Sequence, residues 1–135
     1  MRKILIVEDH PSIRAMLASL FSHAGFAVTE ASDGAVGLSH AQTGGFSAIL
    51  LDLKMPQLDG FEFLEKIKAT PPSNPNGPII VFSSHSYDYA RKQALDAGAA
   101  DFIVKDDLST TNLVERIEAV IAAHPHPGNQ PPTTQ

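Results

Sequence analysis

The chain has 135 residues, 43% of them hydrophobic, and a formal net charge of −5. This length fits one ordinary domain with its own core. It contains no cysteine, which excludes a disulfide scaffold, a thiol nucleophile and a thiolate metal site. The acidic balance argues against direct binding to nucleic acid. The longest apolar runs have about four residues and a membrane helix needs about 20, so we expect a cytoplasmic domain.

The first quarter of the chain predicts a strand, a helix and a second strand. Residues 4–7 (Ile-Leu-Ile-Val) form a continuous, β-branched run that is typical of a strand buried on both faces. Pro11 suits the first turn of a helix, which Gly25 would end. Residues 26–30 are short and more polar, which favours a strand at an edge of the sheet.

A second helix, a third strand and a third helix follow in the same alternation. Ser32 or Asp33 would cap the helix, and residues 48–51 form the next buried strand. Asp59 would cap the third helix. Residues 70–78 contain four prolines and a glycine, which predicts a loop.

The last part of the domain predicts two strands and two helices. Residues 79–82 and 102–104 are the fourth and fifth strands, with a helix over 87–97 between them. Ser109 or Thr110 would cap the final helix. We expect one domain over residues 1–123 and a flexible, proline-rich tail or linker over 124–135, which has no charge and no apolar period.

The connections between the predicted strands are too long for hairpins, which favours a parallel sheet with helices on both faces. Such sheets bind ligands beyond the carboxyl ends of their strands. Six polar residues follow strands directly in this sequence. They are Glu8, Asp9, Asp52, Ser83, Ser84 and Lys105.

These side chains suit a cation and a tetrahedral anion. Carboxylates that lie close together repel each other unless a cation is present, and an all-oxygen set favours Mg²⁺. Lys105 offers a point charge and Ser83 a hydrogen bond to an anion, with Ser84 as the alternative hydroxyl. A carboxylate among these groups can attack phosphorus and form an aspartyl phosphate.

The sequence resembles the receiver domain of bacterial two-component response regulators from residue 3 to about residue 123. Four motifs carry the resemblance, in order and each at a predicted strand end. They are Ile4–Pro11, Asp52–Glu62, Ile79–Ser84 and Ala97–Lys105. The resemblance implies a flavodoxin-like, doubly wound (βα)5 fold with a parallel five-stranded sheet in the order 2-1-3-4-5.

The resemblance implies that Asp52 is the phosphoacceptor. Glu8 and Asp9 would be the acidic pair, with Asp9 the more direct ligand of Mg²⁺, for which Mn²⁺ is a possible substitute. Asp52 and the backbone carbonyl of Lys54 would complete the protein ligands. Lys105 would pair with the phosphoryl group. The donor would be a sensor histidine kinase or a histidine phosphotransfer protein.

The resemblance also implies a switch. Ser83 would hydrogen-bond the phosphoryl group, and Phe102 matches the aromatic residue whose rotamer follows the hydroxyl, although an aromatic in a strand is equally explained as a core residue. Lys54 and His85 match positions that tune how fast the phosphate is lost. The surface of the fourth helix, fifth strand and fifth helix would then change its affinity for a downstream protein, an output domain or a second copy.

One position departs from the family pattern. Asp106 follows Lys105 where most members have proline. A cis bond before a non-proline residue costs about 2.5–4 kcal/mol, so we expect a trans bond here. The Lys-Asp pair, together with the early Asp-His-Pro, resembles receivers of LuxR-type regulators, although receivers that precede sensor or signalling-enzyme modules can share the pair.

Two other functions compete with this interpretation. A Mg²⁺-dependent phosphatase with an aspartyl nucleophile needs a second acid two residues later, and Lys54 stands at that position. We therefore expect no enzyme beyond self-phosphorylation and dephosphorylation. A receiver-like interaction module that never takes phosphate would normally lack a carboxylate or the lysine, and both are present.

Overall fold

The structure, a computed structural model, describes residues 2–53, 55, 58–83, 88–105 and 110–124. Over these residues, strands and helices alternate along the chain. The strands are β1 (Lys3–Val7), β2 (Ala27–Ala31), β3 (Ala48–Leu51), β4 (Ile79–Ser83) and β5 (Asp101–Val104). The helices are α1 (Pro11–His23), α2 (Gly34–Thr43), α3 (Gly60–Ala69), α4 (Asp88–Asp96) and α5 (Thr110–Ala123).

The strands form one parallel sheet in the order β2-β1-β3-β4-β5. The predicted doubly wound α/β fold and its strand order are therefore confirmed. β2 lies at an edge and is only partly buried, whereas every residue of β3 is buried. This difference explains why the second strand is the most polar of the strands.

Side chains of the sheet alternate between two apolar layers. In β1, Ile4 and Ile6 pack with Leu17 of α1 and Ile117 of α5 on one face. The neighbouring Leu5 and Val7 belong to the opposite layer, with residues of α2, α3 and α4. Because both faces are covered, the polar ends of the strands remain available at the carboxyl edge of the sheet.

Several strand boundaries differ by one residue from the sequence prediction, among them the starts of β2 and β5. The backbone N–H of Phe26 donates to the carbonyl of Phe21 at 3.0 Å, so Phe26 closes α1 and does not begin β2. Gly25 precedes it with a φ of 97°, a left-handed conformation that glycine adopts without strain. β5 begins one residue earlier than predicted because Asp101 pairs with Ile80 of β4.

The predicted caps of two helices are confirmed. Asp33 accepts a hydrogen bond from the backbone of Val36 at 2.8 Å at the start of α2. Asp59 and Glu62 form a reciprocal capping box at the start of α3. The predicted cap Ser109 and the tail from residue 125 lie outside the described residues, so the domain boundary remains a prediction.

None of the helices in the described part of the chain combines the length and the apolar character that crossing a membrane requires.

Candidate functional site

Backbone hydrogen bonds bring three strand ends to one edge of the sheet. The N–H of Glu8 donates to Ala31 of β2 at 3.1 Å, and that of Asp52 donates to Val7 of β1 at 3.1 Å. The N–H of Lys105 donates to Ser83 of β4 at 2.8 Å. The parallel ladder thus continues one residue beyond the strands and holds the polar side chains in register.

An acidic cluster lies at this edge. Glu8, Asp9, His10 and Asp52 each offer one ligand atom, and these atoms all lie within 4.8 Å of one another. Glu8 is 2% exposed and Asp52 is 5% exposed, so both carboxylates are largely removed from water. Buried carboxylates this close are costly unless cations or hydrogen-bond donors compensate them.

Lys105 supplies a positive charge at the cluster. Its Nζ lies 2.7 Å from Oε1 of Glu8 and 3.5 Å from Oδ2 of Asp52. The side chain of Lys105 is 13% exposed, so its ion pairs are poorly screened by solvent. The shorter contact is with Glu8, and the longer one leaves the ammonium within reach of Asp52.

The pKa of Glu8 lies below its ordinary value of 4.5. Burial alone would raise the pKa, but the hydrogen bond and charge of Lys105 lower it, and donors on His10 lower it further. Glu8 is therefore ionised at neutral pH in spite of its burial.

His10 lies at the mouth of the cluster, with its side chain 63% exposed. Its backbone N–H donates to Oε2 of Glu8 at 3.2 Å, and its Nδ1 lies 3.1 Å from the same oxygen. The pKa of His10 is raised by its hydrogen bond with Glu8 and by the negative charges of Asp9 and Glu8.

Arg14 supports the acidic pair from the opposite side. Its Nη1 donates to the backbone carbonyl of Glu8 at 2.9 Å, and its Nε lies 3.4 Å from Oε1 of Glu30 on β2. Arg14 thus connects the Glu8 backbone to β2, while Lys105 contacts the Glu8 carboxylate. The hydrogen bond from Arg14 holds the Glu8 backbone independently of its carboxylate.

One carboxylate oxygen lacks a hydrogen bond. Among the residues that the structure describes, Oδ1 of Asp9 is a buried side-chain oxygen without a hydrogen-bond partner. Nδ1 of His10 is 3.3 Å away but does not form a hydrogen bond with it. A buried carboxylate oxygen without a donor, next to two further carboxylates, is the donor set that suits a small divalent cation. The residues present therefore fit Mg²⁺.

Helix α3 holds the backbone that follows Asp52. The N–H of Gly60 donates to Leu53 at 2.9 Å. A Cβ added at Gly60 would lie 2.8 Å from both the Asp52 carbonyl oxygen and the Cα of Leu53. Only glycine permits this approach without moving β3, so Gly60 helps to set where Asp52 lies.

Ser83 and Phe102 are both buried on the neighbouring strands β4 and β5. Ser83 ends β4 and is fully buried. Phe102 is 3% exposed, pairs with Val81 in the sheet and packs in the layer beneath α4. Its carbonyl accepts a hydrogen bond from Arg91 of α4 at 3.1 Å.

The structure brings Glu8, Asp9, Asp52 and Lys105 together as the sequence predicts. Lys54, Ser84, His85 and Asp106 lie outside the described residues. Their predicted roles, and the trans bond expected before Asp106, therefore remain predictions.

Two residues of the site were missed by sequence reasoning. Arg14 and His10 each contact the acidic pair, yet neither was assigned a role there. The available signal was their spacing, since they lie four residues apart at the start of the predicted first helix and therefore share a face. The strand-end rule alone does not find residues that reach the edge from a helix.

The fold and site together define an α/β protein with an acidic cluster at the carboxyl edge of a parallel sheet. Residues 4–118 match the family model described as the response regulator receiver domain. The chain belongs to this family. The confirmed resemblance is to receivers in general, and none of the findings confirms a LuxR-type receiver.

Curated relatives and solved structures agree with this assignment. The chain is 34% identical over 125 residues to the response regulator ArlR of Staphylococcus saprophyticus, covering 93% of this chain and 54% of ArlR. It is 34% identical over 116 residues to a gliding motility regulatory protein of Myxococcus xanthus, covering 86% of this chain and 15% of that protein. The chain thus spans about half the length of one relative and a small part of the other.

Among solved structures, a CheY-like receiver domain protein from Methanospirillum hungatei JF-1 superposes with a TM-score of 0.80 at 26% identity, covering 91% of this chain and 95% of that one. The receiver domain of a sensor histidine kinase from Pseudomonas aeruginosa PAO1 has a TM-score of 0.77 at 27% identity, covering 90% and 98%. That structure has a magnesium ion coordinated in its active-site cleft.

Proposed function

We propose that the chain is a phosphorylation-activated signalling switch in which Asp52 accepts a phosphoryl group. The observation that carries the proposal is the convergence of the Glu8, Asp9 and Asp52 carboxylates with Lys105 at one sheet edge. The donor class is a phosphohistidine on a histidine kinase or a phosphotransfer protein. In the transfer, a carboxylate oxygen of Asp52 forms a bond to phosphorus while the phosphorus–nitrogen bond breaks, and the donor imidazole leaves.

The chain's own residues would prepare this step in three ways. Glu8 and Asp9, with Asp52 and the backbone carbonyl of Lys54, would hold Mg²⁺, which neutralises charge on the phosphoryl oxygens when bound. Lys105 lies 3.5 Å from Asp52, so its ammonium can follow the new phosphoryl group. Ser83 ends β4 beside Lys105, whose backbone N–H donates to the Ser83 carbonyl, and this position supports a hydrogen bond from its hydroxyl to the same group.

The readout would be a two-state equilibrium of the sheet edge and the helices beside it. Ser83 and Phe102 are both buried on neighbouring strands, which supports a coupled movement of hydroxyl and ring. Arg91 links the Phe102 carbonyl to α4. The affected surface is the one formed by α4, β5 and α5, which would bind an output domain, another protein or a second copy. Lys54 and His85 would tune the lifetime of the phosphate.

Intact mass spectrometry after incubation with acetyl phosphate and Mg²⁺ tests the proposal. We expect one phosphoryl adduct on the parent and none on Asp52→Asn or without Mg²⁺. Asp96→Asn is the matched control, because Asp96 is an exposed aspartate paired with Lys92 on α4, and it should form the adduct like the parent.

A folded parent that forms no adduct with acetyl phosphate, with a phosphorylated kinase or with fluoroberyllate would contradict the proposal. That result would favour a phosphate-independent interaction module. Release of many phosphates per chain from small esters would instead indicate a phosphatase.

A further inference from the structure

Helix capping does not explain why a histidine stands at position 10, at the start of α1. His10 is the N-cap of α1, and its side chain makes no capping hydrogen bond. Asn, Asp, Ser and Thr are the residues that stabilise this position. The imidazole of His10 turns instead toward the carboxylates of Glu8 and Asp9.

The distances around Nδ1 of His10 match those of neighbouring ligands on one ion. Nδ1 lies 3.1 Å from Oε2 of Glu8 and 3.3 Å from Oδ1 of Asp9. Two ligands in adjacent positions of an ion bound at about 2.0–2.1 Å stand about 3.0–3.3 Å apart. The oxygen of Asp9 concerned is the buried one that has no hydrogen-bond partner among the described residues.

We propose that His10 is a nitrogen ligand of this pocket, which allows it to hold a borderline divalent cation such as Zn²⁺ in competition with Mg²⁺. The inference rests on the proposed function, since it concerns the same cation pocket. Imidazole suits Zn²⁺, Cu²⁺ and Ni²⁺, whereas Mg²⁺ prefers oxygen ligands and keeps several waters. His10 therefore raises the affinity for Zn²⁺ far more than that for Mg²⁺.

Occupancy by Zn²⁺ would lower phosphoryl acceptance at Asp52. Zn²⁺ in proteins is usually four-coordinate. With a nitrogen from His10 and pocket carboxylates bound, fewer positions remain for a phosphoryl oxygen than on Mg²⁺. The pocket would then respond to the ratio of two cations as well as to the phosphodonor.

Isothermal titration calorimetry with ZnCl2 and with MgCl2 separates the two cations in the parent and in His10→Asn. Asparagine is a favoured N-cap and keeps an oxygen donor, so we expect the variant to fold and to bind Mg²⁺ like the parent. Its Zn²⁺ affinity should fall about tenfold or more.

Two controls address three of the other histidines. His23→Asn changes a histidine that is exposed at the far end of α1, and the double variant His124→Asn/His126→Asn removes both histidines of the proline-rich segment. Both should bind Zn²⁺ at the pocket like the parent. Long-range ¹H–¹⁵N spectra of the imidazoles then identify the ligand atom, with a Zn²⁺-dependent shift expected at Nδ1 of His10.

The outcomes distinguish this inference from the proposed function. If Mg²⁺ binds in an Asp9-dependent way but Zn²⁺ binds His10→Asn as tightly as the parent, only the role of His10 is wrong. Loss of Zn²⁺ binding in the His124→Asn/His126→Asn variant alone would also overturn the assignment of His10 as a ligand. Absence of Mg²⁺ binding to the parent would instead contradict the cation pocket itself.

Discussion

At the scale of single residues, Lys105 decides whether the acidic cluster can remain charged. Its ammonium contacts both Glu8 and Asp52, and breaking a buried pair by removing one partner leaves the other charge uncompensated. Lys105→Met keeps an unbranched apolar side chain and removes the charge. We expect a loss of about 3 kcal/mol in the free energy of unfolding without divalent cations, measured by urea denaturation.

The control for Lys105→Met is Lys92→Met. Lys92 forms an ion pair with Asp96 in which both side chains are mostly exposed, and such pairs contribute at most about 1 kcal/mol. Mg²⁺ should recover part of the stability lost in Lys105→Met, and it should stabilise Lys92→Met only as much as it stabilises the parent. Equal losses in the two variants would show that the pocket charge is not important for stability.

Glu8 gives the stability of the protein a pH dependence of known sign. Its pKa in the folded state lies below the ordinary value of 4.5, so its ionised form contributes stability that is present above 4.5. This stability is lost as the pH falls through the folded value. Without divalent cations, we expect a steeper decline of the unfolding free energy below 4.5 in the parent than in Glu8→Gln.

This prediction concerns how steeply the free energy of unfolding changes with pH. It does not concern the absolute free energy, because Glu8→Gln also removes repulsion from Asp9 and Asp52. Glu65→Gln on the exposed face of α3 is the matched control and should keep the parental slope. Parallel curves for the parent and Glu8→Gln would contradict the assignment of the lowered pKa.

At the scale of elements, α3 begins with a capping box formed by Asp59 and Glu62. Its first residue, Gly60, helps to position the end of β3. Gly60 packs against the carbonyl of Asp52 and against Leu53, so Gly60→Ala must displace the strand end. Overpacking of this kind costs about 1–3 kcal/mol, and we expect phosphoryl acceptance at Asp52 to fall with it. Thermal unfolding and the rate of adduct formation measure the two effects.

The variant Asp59→Ala separates the positioning of Asp52 from the stability of α3. It removes the hydrogen bond from Glu62 that caps α3, which costs about 1 kcal/mol, without pressing on β3. The rate of adduct formation should therefore remain parental. If both variants lose acceptance in proportion to stability, Gly60 has no separate role in placing Asp52.

The elements themselves were predictable because their signals are local. The apolar run 4–7, the prolines and glycines at helix ends and the Asp59 cap each act within a few residues. The contacts between elements were not predictable in the same way. Asn76, in the loop predicted from its prolines, accepts from the Phe46 backbone and donates to the Ala41 carbonyl. No local pattern indicates partners 30 and 35 residues away.

At the scale of the whole molecule, the site too was predictable only where local patterns were sufficient. Strand-end polarity was enough to place Glu8, Asp9, Asp52 and Lys105 at one edge, since parallel strands end together. The contacts of Arg14 and His10 with Glu8 depend on how α1 packs against the sheet. The preference of Lys105 for Glu8 over Asp52 is a matter of side-chain geometry that only the structure provides.

The fold links cation binding to global stability, because three strands must be in register to form the pocket. A cation that binds only the folded state stabilises it by about 2.7 kcal/mol at 100 times its dissociation constant. We therefore expect Mg²⁺ to raise the melting temperature of the parent in a saturable manner. Asp9→Asn changes the buried oxygen that lacks a hydrogen bond and should abolish most of this rise.

Asp101→Asn is the control for the linkage between Mg²⁺ and stability. Asp101 pairs with Arg116 on α5 and belongs to the sheet, yet it is not part of the acidic cluster. This variant should lose some stability and still respond to Mg²⁺ like the parent. A rise in melting temperature of the same size in Asp9→Asn would mean that Mg²⁺ acts through general screening, because specific linkage requires the pocket carboxylate.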